Sequence, residues 1–304
     1  MDLSGNRRRR TKERVVRASF FAAGLVSILI SVAIVLTLVG EAWAFISGLV
    51  EQGELGSLWS LGWFPRRGLY DLRTIIAGTF IIALIGIIVA TPLGLGSAIY
   101  IAEYAAPRTR RRLKPLIEIL AGIPSVVLGF WALAFIGPDV VQRVFESAGI
   151  FSMLSAGLAV GVLITPLVAS VSDDAMRAVP ASLREASYGL GANRVTTTLR
   201  VVLPAAISGI AASLILAFSR AIGETMIVFM AAGAVGGALF TMNPLDPGQT
   251  MTAAIASLAI GTDQVAGEGL AFQSLFFIGL LLFLMTLALN TTSNRLVRRF
   301  REVY

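Results

Sequence analysis

Val201 to Thr225 read VVLPAAISGIAASLILAFSRAIGET. Val201–Ser219 carries no charge; then Arg220 and Glu224 interrupt apolar sequence that resumes from Thr225 to Leu245. A helix of roughly 20 residues crosses ~30 Å of hydrocarbon, so the length of this run points to a bilayer. Ionised groups at that depth are costly and are by default functional. Four residues apart on a helix, Arg220 and Glu224 stand one turn apart on one face, where they can pair. The pair either satisfies only itself against a neighbouring helix or forms the polar element of an ion pathway.

Further apolar runs near or above spanning length are Ala18–Gly40, Thr74–Ala102, Ile119–Pro138, Ser147–Ser172 and Gly269–Asn294. Mean hydropathy is +0.81. Of 304 residues, 56% are hydrophobic and only 14% charged, more apolar surface than a soluble domain of this size needs. The expected fold is an all-α membrane protein with six transmembrane helices. A barrel is excluded because its strands alternate at period two over only ~10 residues. Cysteine and histidine are absent. That removes disulfides, the usual zinc sites and imidazole acid–base chemistry. With no nucleophile–base set left, no catalytic residue, metal or bound cofactor is expected.

Lysines and arginines are distributed unevenly. Twenty lie in the N-terminal tail, residues 108–114, residues 177–200 and the C-terminal tail; four (Arg66, Arg67, Arg73 and Arg143) lie in the alternate loops, and Arg220 is the last. By the positive-inside rule both termini and both basic loops face the cytoplasm. The net charge of +7 is then a topology signal and an attraction to anionic headgroups, and no nucleic acid is expected as a partner. A second crossing within Thr225–Leu245 would put the basic C-terminus outside, so this stretch is expected to re-enter or to pack externally. The first run is too long for a signal peptide and reads as a retained anchor. The chain divides into a basic tail (1–17), a first helix with its external loop (18–71), a core (72–294) holding a long basic loop (173–204), and a second basic tail (295–304).

Within that loop Pro180 can open a short helix, and Gly189 with Gly191 can close it. Leu183, Ala186, Ser187 and Leu190 fall at i, i+3, i+4 and i+7, a small-residued face suited to close approach to a protein groove. A helix resting on the lipid interface would favour larger apolar anchors. Arg184 and Glu185 are expected to point elsewhere.

Glu185-Ala186-Ser187, Gly191, Val201 and Leu203-Pro204 resemble, at the same spacing, the cytoplasmic signature of the permease subunits of ABC importers, with Ser187 for a second Ala and Val201 for Ile. Ile99-Tyr100-Ile101-Ala102-Glu103-Tyr104 with Pro107, Glu118 to Ser125 with Gly129-Phe130, and Arg220 to Met226 narrow the resemblance to the phosphate-importer permeases, PstC type. It covers most of the chain from Leu72 onward, and Trp63-Phe64-Pro65 adds to it. The resemblance implies the type I ABC importer permease architecture in a bacterial cytoplasmic membrane, and import of inorganic phosphate by alternating access. It implies a cytoplasmic coupling helix, with Glu185, Ala186, Gly191, Leu203 and Pro204 as ATPase-coupling positions. The implied partners are a second homologous permease, two ATP-binding subunits at the cytoplasmic face and an external phosphate-binding protein. No G-x-x-x-x-G-K-[ST] run occurs, so ATP is expected to be used by a separate subunit and this chain to be no enzyme.

Phosphate needs a polar route through hydrocarbon. Arg220, whose guanidinium matches phosphate oxygens, is the candidate anion contact, with Glu224 as its orienting counter-ion. Thr225 is either a further donor or a hydroxyl bonded back to the helix backbone. Thr91-Pro92 reads as an ordinary membrane-helix kink. Gly122–Ser125 is either another kink or a broken helix that lets Ser125 line the path. The external loops are mixed or acidic and hold Trp59, Trp63 and Phe64, while Trp43 reads as interfacial. Delivery by a carrier would reconcile an acidic mouth with an anionic cargo. The alternatives are a permease for sulfate, molybdate or phosphonate, and an autonomous secondary transporter, for which Glu224 is the lone intramembrane acid.

Overall fold

Apolar runs become helices whose starts are set by polar caps. The computed structural model describes residues 7–233, 236–260 and 269–299; the first six residues of the N-terminal tail, 261–268 of the last loop and 300–304 of the C-terminal tail lie outside the described residues. The helices are α1 (Arg7–Glu51), α2 (Leu72–Tyr104), α3 (Pro107–Ala121), α4 (Ser125–Val144), α5 (Met153–Arg177), α6 (Ala181–Gly189), α7 (Arg194–Ile222), α8 (Met226–Ala231), α9 (Met251–Ala259) and α10 (Gly269–Arg299). Six of them, α1, α2, α4, α5, α7 and α10, are long and apolar enough to cross a membrane, in line with the six expected spans. Asp71 opens α2, its carboxylate accepting from the Arg73 amide and the Thr74 hydroxyl. Ser152 and Thr250 likewise accept from the amides of Ser155 and Ala253 at the starts of α5 and α9. π turns widen α2 at Tyr100–Tyr104, α4 at Ala132–Val141 and α7 at Thr198–Val202, a feature that recurs near functional sites.

The central pair is α2 and α5, which meet along glycines. A Cβ added at Gly94, Gly157 or Gly161 would lie 2.7 Å from the Cβ of Val168, Ile85 or Val89 respectively. Small residues at such a seam let helix backbones approach closely where lipid provides no hydrophobic drive. α7 packs on α5 where Gly209 abuts Ala175, and the Ser172 and Ser213 hydroxyls bond at 2.8 Å. One apolar cluster joins α2, α4, α5, α7 and α8. A second joins Phe45 and Leu49 of α1 to α9 and α10 around Trp63 and Tyr70. Most of α1 before that point is exposed.

The structure moves two boundaries. Ile119–Pro138 is not one helical run: α3 ends at Ala121 and α4 begins at Ser125, because Gly122 and Pro124 interrupt the ladder between them. The basic segment 108–114 is not a loop but the body of the amphipathic α3, which buries none of its residues. Beyond Glu224 the chain packs instead of crossing. Its α8 lies against α4, where a Cβ on Gly129 would sit 3.1 Å from the Ile227 Cα. The loops between helices also hold an antiparallel sheet of order β2-β1-β3, formed by β1 (Gly62–Phe64), β2 (Leu69–Tyr70) and β3 (Ala238–Leu239). Trp63, 1% exposed, is a core residue of this region and not an interfacial ring; Trp43 and Trp59 are exposed.

Candidate functional site

α7 ends at Ile222, and the chain turns through Gly223 into α8. Arg220 and Glu224 pair across this turn, Nη1 to Oε2, at 3.1 Å. The partners differ in setting: the Glu224 side chain is 2% exposed and that of Arg220 51%. The second Glu224 oxygen, Oε1, accepts from the amides of Met226 at 3.2 Å and Ile227 at 3.4 Å. One carboxylate thus serves as counter-ion to α7 and as anionic cap to α8, whose first-turn amides carry partial positive charge. The Glu224 carbonyl accepts from the Thr252 hydroxyl at 2.7 Å, which brings α9 to the same junction. A carboxylate fixed in this way holds one edge of the guanidinium and leaves its other N–H donors free to face outward.

The expected pair is therefore present, with duties the sequence did not reveal. Glu224 as a cap had one usable signal, its position two residues before Met226, the first residue of α8. Thr252 had none, since it lies 28 residues away. Thr225 follows the local reading: its hydroxyl reaches the Gly223 carbonyl at 3.4 Å. Ser125 is half-buried at the start of α4. Among the described residues no hydrogen bond joins it to Arg220, Glu224 or Thr225, and it relates to them only through the packing of α4 on α8.

At the basic end of the bundle, α6 follows Pro180, and the turn after it needs the positive φ of Gly191, +81°. The expected four-residue docking face divides. Leu183 packs inward with Met176, Val179 and Val202, and the Ser187 hydroxyl bonds Thr197 at 2.9 Å. Glu185, Ala186 and Gly191 are exposed, and Leu190 is 91% exposed. Arg184 does not point away but donates to Glu103 Oε1 at 3.0 Å and to the carbonyls of Val179 and Met176 at 2.6 and 2.8 Å. Leu203 and Pro204 lie within α7, Leu203 half-buried against the same cluster and Pro204 exposed.

A second ionic cluster ties α3 to α5. Asp173, 3% exposed in its side chain, accepts from Arg110 at 3.0 Å and Lys114 at 3.2 Å, and Lys114 reaches Asp174 at 2.7 Å. The hydrogen bond to Asp174 raises the Lys114 pKa above its ordinary value, with partial burial opposing it and Asp173 adding to it. At the other end, a recess of about 510 Å³ is lined by Phe64, Leu239, Phe240 and Asp246. Asp246 accepts there from Thr241 and Asn243, so its charge is largely engaged locally.

Residues 90–302 match the family model of the binding-protein-dependent transport system inner membrane component. The probable ABC transporter permease protein YqgH of Bacillus subtilis is 34% identical over 288 residues, which cover 93% of this chain and 90% of YqgH. The phosphate transport system permease protein PstC of Pasteurella multocida is 32% identical over 263 residues, 81% of this chain and 80% of that protein. In fold, the chain is similar to a crystal structure of a bacterial ABC transporter involved in the import of the acidic polysaccharide alginate. The TM-score is 0.59 at 15% identity, over 96% of this chain and 100% of that one.

Proposed function

The chain belongs to the family of binding-protein-dependent transport system inner membrane components, and on that premise we propose that it is a membrane-spanning permease subunit of an ATP-driven importer of inorganic phosphate. Relatives that transport phosphate support the choice of cargo. The observation that carries the mechanism is the half-exposed Arg220 held by the buried Glu224. Phosphate presents charge and several acceptor oxygens, and bare hydrocarbon would exclude it. A guanidinium partly neutralised by its own carboxylate attracts such an anion without trapping it, as a conduit requires.

A second homologous permease faces the open side of Arg220. Two ATP-binding subunits, which carry out the hydrolysis, dock on α6 through Glu185, Ala186 and Gly191, and an external binding protein delivers the phosphate. The excess of basic residues supports a cytoplasmic position for α6 and both termini. Closure of the ATP-binding subunits displaces α6 and alternates the access of the Arg220 region between the two sides.

The test is uptake of radiolabelled phosphate by the complete importer in proteoliposomes. Arg220→Ala is expected to abolish uptake with assembly intact, and Arg220→Lys, which keeps the charge but not the fork, to restore only part of it. Normal uptake by Arg220→Ala would remove the pathway role. Sulfate, molybdate or phosphonate transported as well as phosphate would reassign the cargo.

A further inference from the structure

The segment Tyr100–Tyr104 ends α2 in a π turn closed by the Ala105 amide on the Tyr100 carbonyl at 2.8 Å. Neither spanning a membrane nor contacting an anion requires its side chains, yet two consecutive ones grip the loop that carries α6. Glu103, 5% exposed in its side chain, accepts from Arg184 within α6 at 3.0 Å. The guanidinium of Arg194, the first residue of α7, lies over the Tyr104 ring with Cζ 5.5 Å from its centre. The end of α2 therefore holds both α6 itself and the start of α7. Arg184 also donates to the Met176 and Val179 carbonyls at and just beyond the end of α5, so one guanidinium joins the ends of α2 and α5 to α6. The Ser187–Thr197 hydroxyl bond closes α6 against α7.

A loop helix pulled from outside transmits force only if it is fixed to something stiff. The glycine seam makes α2 and α5 such a body, since the β-branched side chains of Val168, Ile85 and Val89 fill the space against Gly94, Gly157 and Gly161 and leave no room to slide. Glu103 is the only carboxylate that Arg184 contacts among the described residues. Parting a buried ion pair leaves an uncompensated charge, which opposes separation. We propose that Glu103 is a positioning residue that anchors α6 to α2 through Arg184, so that displacement of α6 moves the α2–α5 pair instead of being lost in the loop. The proposal rests on α6 being the element that the ATP-binding subunits engage.

The experiment measures ATP hydrolysis and phosphate uptake in parallel on the complete importer in proteoliposomes. Glu103→Ala is expected to leave assembly and hydrolysis in place while phosphate moved per ATP falls roughly tenfold, the scale of a coupling free energy between two sites. The exchanged pair Glu103→Arg with Arg184→Glu should recover part of that loss, which a purely structural defect would not. Should Glu103→Ala fail to assemble, Glu103→Cys with Arg184→Cys replaces it, in a chain that has no cysteine of its own. Joining the two thiols with a short bifunctional maleimide should then restore transport per ATP. Wild-type phosphate per ATP in Glu103→Ala, or arrest of transport by the cross-link, would overturn the anchor. A wild-type preparation that recruits no ATP-binding subunit would instead refute the docking assignment beneath it.

Discussion

Glu224 lies buried behind the half-exposed Arg220, 3.1 Å away, and its other oxygen caps α8. The two residues therefore have unequal structural weight. Arg220→Ala takes the counter-ion from a buried carboxylate but leaves it two amide donors, which limits the loss. Glu224→Ala strips the α8 amides of their acceptor inside the fold, a loss of about 1–3 kcal/mol. Thermal unfolding in detergent should show the larger drop for Glu224→Ala, although both variants are expected to fail in uptake. Equal melting temperatures would show that the cap contributes nothing.

Glu185 is exposed on α6 and makes no ion pair among the described residues. Its replacement should leave the isolated chain within about 0.5 kcal/mol of its original stability. Glu185→Lys is nonetheless expected to separate ATP hydrolysis from phosphate uptake. Unchanged coupling in vesicles would count against α6 as the docking helix.

The glycine seam gives a prediction confined to packing. Gly161→Ala places a Cβ 2.7 Å from the Val89 Cβ, and overpacking of this kind costs about 1–3 kcal/mol. Gly24 has nothing within 4 Å of its added Cβ, so Gly24→Ala should be silent. A melting series of the two variants reads the difference directly, and equal melting points would mean that the α2–α5 contact has slack.

Tyr70 sits before α2, against Phe45 and Trp63. Burial first, and the charge of Glu54 second, push its phenol from 10.0 up to about 12. The folded chain holds that proton more tightly than the unfolded chain does. The contribution to stability is therefore complete below pH 10 and is lost as pH rises toward 12. Tyr70→Phe should remove one late-ionising tyrosine from an ultraviolet pH titration and flatten the alkaline limb of the stability curve. An unchanged titration would place the raised pKa on another tyrosine.

Run length and charge asymmetry were sufficient to find the spans, because crossing hydrocarbon constrains composition along the chain itself. The i, i+4 spacing of Arg220 and Glu224 was legible for the same reason: it is local. The boundary at Gly122–Pro124 was blurred because α3 ends in apolar residues, Leu116, Ile119 and Leu120, that extend the following run. Trp63 read only as an aromatic of an external loop because nothing nearby signals a sheet whose third strand, Ala238–Leu239, comes from far along the chain. Arg184 read as outward-pointing because its partner, Glu103, is 81 residues away. Periodicity reports a helix's own faces, not which distant carboxylate will cover one of them.

Glycines closed over by stiff β-branched side chains leave few alternative packings, so no switch is expected at that seam. The glycine contacts of α2 with α5 thus make a solid wedge. Any change of shape is pushed to its margins, where two glycine-containing bends interrupt helical continuity, Gly122–Pro124 between α3 and α4 and Gly223 between α7 and α8. We expect the helices to pivot at these bends, one of which Arg220 and Glu224 bridge.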